Sequence, residues 1–160
     1  MNEAQHLPAD FANVYEAAFA RLQIRVETAC MSEPFSDWPA QVAAAIRATL
    51  AFAAAHPDAA YVLTSGALVH GKGGFARYDR MLDHFAELLR PGRAERSDGE
   101  ALPEIVEKAM AGGLATMIAQ RVDTGRAADL PSLAAEAIQF VLTPYLGTRR
   151  ARQVATAEVS

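Results

Sequence analysis

Apolar residues recur at steps of three and four along nearly the whole chain, and no run of alternating β-branched residues interrupts them. A strand exposes its side chains with period two and a helix with period 3.6, so this pattern predicts an all-α fold. Proline supplies the punctuation. Pro8, Pro39, Pro103 and Pro131 each precede an apolar-periodic segment, where a missing N–H costs nothing in a first turn. Pro57, Pro91 and Pro144 follow such segments and are expected to mark ends or kinks.

Read between these marks, the first helix runs from about Pro8 to Met31, with Phe11, Tyr15, Phe19, Leu22 and Val26 on one stripe. Ser36 or Asp37 can cap a second helix that reaches about His56. A shorter helix covers Asp58 to Val69. Gly71, Gly73 and Gly74 interrupt it before a long helix carrying Tyr78, Met81 and Phe85, and the stretch from Arg90 to Ala101 reads as a loop. Helices from Pro103 to Asp123 and from Leu130 to Tyr145 complete an antiparallel helical bundle of about six helices. The domain is expected to occupy 10–147, with 1–9 a leading linker and 148–160 a tail.

The last two helices are unusual. No charge falls between Ala109 and Ala119, and Glu136 is the single charge between Leu130 and Gly147. A helix apolar all round must be covered all round. Such cover comes either from a buried position in a monomer or from a second chain. The expected homodimer would use Val106, Gly113, Met117, Ala137, Phe140 and Val141, with Gly112 and Gly113 there for close helix approach.

Charge and composition exclude several functions. A 160-residue chain that is 51% hydrophobic and 21% charged can bury one core. Its net charge is −4, and its basic clusters at Arg90, Arg93 and Arg96 and at Arg149, Arg150 and Arg152 read as solvated loop and terminus, so no nucleic-acid contact is expected from this chain alone. Cys30 is the one cysteine, which rules out an internal disulfide. With no leader pattern and no span of about 18 apolar residues, the chain is expected to be cytoplasmic and to make no membrane contact.

Signals for chemistry are weak. Gly66 to Gly73 nearly spells a phosphate-binding loop, but Gly73 replaces the hydroxyl that would hold magnesium and a helix, not a strand, precedes it. No histidine pair has metal-ligand spacing, and no nucleophile elbow surrounds Ser65, so neither a metal, a cofactor nor an enzyme activity is expected. What remains is a supply of large, adaptable side chains: Phe19, Tyr61, Tyr78, Met81, Phe85, Met110 and Met117. These can line a pocket for an apolar small molecule, with Tyr61, Ser65, His70 and His84 offering polar tips. Ordinary core packing explains the same residues.

The segment Asp10-Phe-Ala-Asn-Val-Tyr-Glu-Ala-Ala-Phe-Ala-Arg-Leu22 resembles the motif that opens the C-terminal region of TetR-family transcriptional regulators. Trp38, Leu50 to Pro57, Arg77 to Arg80, the glycine-bearing Ala109 to Ala119 and Pro144 to Gly147 are similar to the same family. The resemblance implies a TetR C-terminal-domain-like fold, a hydrophobic small-molecule effector and homodimerisation. It also implies that the helix-turn-helix reader of DNA lies outside these residues, because only His6 to Asp10 stands where that part would end. A stand-alone helical binding protein and a small helical enzyme are the alternatives.

Overall fold

A computed structural model describes residues 7–98 and 101–157, and among them every regular element is helical. The expected linker 1–9 lies outside the described residues except for Leu7 to Ala9, which open helix α1 (Leu7–Met31). Asp37 caps α2 (Trp38–Ala55) by accepting a hydrogen bond from the Ala40 N–H at 3.1 Å, and Pro39 sits in the first turn. Pro57 serves as both stop and start, because α2 ends at Ala55 and Pro57 is the first residue of α3 (Pro57–Tyr61).

A π-helical segment, Val62–Gly66, joins α3 to α4 (Ala67–Val69). The expected glycine interruption resolves into a turn. Gly71, at φ +67°, redirects the chain, while Gly73 and Gly74 fall inside the first turns of α5 (Gly71–Leu89). A 3₁₀ segment, Arg90–Glu95, replaces the first half of the expected loop. Helix α6 spans Val106–Asp123, and a second 3₁₀ segment, Ala127–Leu133, leads into α7 (Ala134–Thr156).

Two expectations about the C-terminus are corrected. Pro144 lies inside α7, and the break comes three residues later at Gly147, where φ is 75°. Residues 148–156, expected as a tail, form the helix beyond that break. They fold because small side chains point inward: Ala151 is fully buried and Ala155 nearly so.

Two clusters of buried side chains make the interior. One gathers α2, α7 and the 3₁₀ segment before α7, around Leu50, Leu130, Ile138 and Leu142. The other gathers α1, α4 and α5 with part of α6, around Tyr15, Leu22, Met81 and Leu82. The Tyr15 hydroxyl donates to the Arg77 carbonyl at 3.0 Å, tying α1 to α5, and the Trp38 indole donates to the Leu88 carbonyl at 3.1 Å. Burial raises the Tyr15 phenol far above its ordinary value, which keeps it a donor.

Of the arginines read as solvated, Arg90, Arg149, Arg150 and Arg152 are exposed, whereas Arg93 and Arg96 are structural. Arg93 holds the buried Glu107 carboxylate through two contacts, at 2.5 and 2.9 Å, and donates to the carbonyls of Leu102 and Pro103. Arg96 donates to the Pro144 carbonyl at 2.7 Å. Together they fasten the segment after α5 onto α6 and α7.

Candidate functional site

Between the two clusters the chain leaves a cavity of about 380 Å³. Each wall is a helix face at the expected spacing. Leu22, Val26 and Cys30 come from α1; Val42, Ala45, Ile46, Thr49 and Ala53 from α2; Met81, Phe85 and Leu89 from α5; and Met110, Leu114 and Ile118 from α6. The π-helical segment contributes Leu63 and Thr64. The hollow exists because several facing positions are alanine. Ala45, Ala53, Ala60, Ala111 and Ala115 converge here, and each reaches no further than a methyl group.

The exposed lining residues gather at one end, which is the mouth. Met31 is 83% exposed, Phe35 97% and Leu88 39%, with Pro91 and Glu87 beside them. Among the described residues Glu87 is the only charged group of the lining, and Arg90 pairs with it at 2.9 Å. No lysine, arginine or histidine among the described residues reaches the wall. The Thr49 and Thr64 hydroxyls donate to the carbonyls one turn back, Ala45 at 2.8 Å and Ala60 at 2.7 Å. Burial pushes the Cys30 thiol up, with Glu27 adding to the effect, so it stays neutral, and its Sγ contacts the Gln41 carbonyl at 3.7 Å.

Of the ten residues expected at a ligand site, Met81, Phe85 and Met110 line the cavity. Phe19 stands one layer behind, edge-on to Phe85 at 6.0 Å and to His84 at 5.5 Å. His84 faces Gln23, with ring and amide nitrogens 3.3 Å apart. Tyr61 is 43% exposed. Ser65 donates to Asp123 at 2.6 Å, and His70 stacks on Phe11 while its Nδ1 meets the Gly66 carbonyl at 2.6 Å. Tyr78 packs against the second cluster, where burial raises its phenol, and Met117 packs against the first. Sequence reasoning missed Gln41, Thr49, Thr64 and the alanines that make the space.

The six interface candidates divide. Ala137 and Val141 are buried in the chain's own core and have no surface to offer another chain. Gly113 lies under Phe140 of the same chain: an added Cβ would stand 2.7 Å from its ring, so this glycine serves the approach of α6 to α7. Gly112 has no such neighbour, its nearest being Leu82 at 3.8 Å. Val106 and Met117 are half-buried, and Phe140 keeps 41% of its surface.

No group of three or more His, Cys, Asp or Glu side chains is placed to hold a metal among the described residues. None of the described helices is long and apolar enough to cross a membrane. Comparison of the chain with protein-family models, with curated proteins and with solved structures found no match.

Proposed function

We propose that this chain binds an apolar small molecule and is the effector-binding, dimer-forming part of a TetR-like transcriptional regulator. The observation that carries the reading is the cavity itself. It is almost wholly apolar, walled by four helices and open at one end, which is the form of a small-molecule site. The regulator part of the reading is supported by the motifs at Asp10 to Leu22, Arg77 to Arg80 and Ala109 to Ala119. A stand-alone binding protein would use the same cavity.

Homodimerisation through the outer faces of α6 and α7 belongs to the same reading. Phe140 on α7, at 41% exposure, and Ile105, which immediately precedes α6, at 65%, are large apolar groups left uncovered there. Ile105→Glu is the cleaner disruption, because Gly113 and Phe140 pack on each other in the chain's own helix contact while Ile105 is 65% exposed. Sedimentation is expected to show a dimer for the wild type and a monomer for Ile105→Glu.

Native mass spectrometry of the protein purified from its own host tests the binding reading. A retained small molecule, displaced by the apolar dye Nile red, is expected. A chain that carries nothing and takes up no Nile red would contradict it.

A further inference from the structure

The cavity wall has a pattern of polarity that narrows what it can hold. On α2 the lining runs from Trp38 to Ala53, about 22 Å at the helical rise, so the space is long. A volume of about 380 Å³ spread along that length is narrow. Its polar groups are few and nearly all satisfied within the chain: the Thr49 and Thr64 hydroxyls donate to backbone carbonyls and Glu87 is paired with Arg90. Gln41 is the exception. Gln41 lines the mouth end beside Trp38 and Val42, and its carboxamide has no hydrogen-bond partner among the described residues.

Resting on the ligand-binding reading above, we propose that the cavity selects uncharged, elongated apolar molecules ending in one neutral hydrogen-bonding group, which the Gln41 carboxamide holds near the mouth. An anionic head finds no cation in the wall among the described residues and would sit beside the Glu87 carboxylate. A cationic head finds that carboxylate already paired, and burying either charge without a partner is costly. A neutral alcohol or amide loses little on leaving water if Gln41 replaces one of its hydrogen bonds, while its chain follows the apolar slot toward Ala60 and Ile118.

The test is displacement of Nile red by four probes of equal chain length: decanol, decanoate, decyltrimethylammonium and chlorodecane. At pH 8 decanol is expected to bind at least about tenfold more tightly than either charged probe. Decanoate should gain affinity as pH falls toward 5 and its carboxylate protonates, while decanol stays constant. Gln41→Leu should weaken decanol about tenfold and leave chlorodecane within about twofold, the chlorodecane serving as the check that the variant is folded. Decanoate or decyltrimethylammonium matching decanol would overturn the selectivity and leave the ligand-binding reading standing. Equal loss of decanol and chlorodecane in Gln41→Leu would overturn the role of Gln41. Failure of every probe and of Nile red would overturn the ligand-binding reading together with this inference.

Discussion

Around Leu130 and Ile138 the chain fills its interior until neither side chain meets solvent, whereas between α1, α2, α5 and α6 it leaves a void. Both regions are apolar, and both are built from helix faces at the same spacing. They differ in how the sizes of facing side chains add up. In the filled region Leu, Ile and Tyr meet one another, and the buried Glu107 carboxylate is paired with Arg93. In the hollow region alanines on α2, α3 and α6 face one another, and the contacts that would close the gap are missing. The comparison teaches that one part of the interior is packed to hold the fold and the other is left hollow, the space the proposed binding would use.

If that division is right, the filled region should be the less tolerant. Arg93→Met strands the Glu107 carboxylate in the interior and removes the donor to two carbonyls, so a loss of about 3 kcal/mol is expected in denaturant unfolding at pH 7. The pH dependence gives a second check. Arg93 holds the Glu107 carboxyl below its ordinary value of 4.5, so its contribution is fully present above that pH and is lost as pH falls through the lower folded value. In Arg93→Met the carboxyl lacks its partner, so the gap in stability between the two proteins should narrow on acidification.

Glycine-to-alanine changes sharpen the contrast. A Cβ at Gly92 would stand 2.7 Å from Trp38 Cζ2 and 2.8 Å from Tyr145 Cδ1, inside a ring pair already in contact at 5.3 Å, so Gly92→Ala should cost about 2 kcal/mol. At Gly112 an added methyl meets only ordinary contact, so Gly112→Ala should gain up to about 1 kcal/mol from helix propensity. Thermal unfolding of the pair reads both signs. In the hollow region Ala45→Leu should be neutral or stabilising by about 1 kcal/mol while abolishing Nile red uptake, because the new side chain occupies the space a ligand would take. Destabilisation with binding retained would show that Ala45 borders a filled interior.

Much of the fold was legible because periodicity and proline placement act locally. The cap at Asp37, the extents of α1 and α2 and the end of α6 at Asp123 follow from residues close in sequence. The π-helical segment was not legible, since Val62 to Gly66 carries no proline and only one glycine. Nor was the helix beyond Gly147, whose burial depends on where Ala151 and Ala155 meet α2. The site was harder for a physical reason. Large side chains such as Tyr78 and Met117 mark where apolar surface must go, and in this molecule that is a packed cluster as often as a cavity wall. A cavity is marked by what facing positions lack, and the coincidence of Ala45, Ala60 and Ala111 exists only in three dimensions. The buried Arg93–Glu107 pair was missed similarly, because fourteen residues separate a loop arginine from the helix face it anchors.

The central claim is that the space between α1, α2, α5 and α6 takes up an apolar molecule. Its most direct test is a titration with decanol followed through the methionine methyl resonances. Met110 and Met117, on the same helix, both pack against the first cluster, but Met81 and Met110 line the cavity and Met117 does not. The account predicts saturable shifts at Met81 and Met110 with one common affinity and no comparable change at Met117. Equal movement of all three resonances, or no movement at Met81 and Met110, would contradict it.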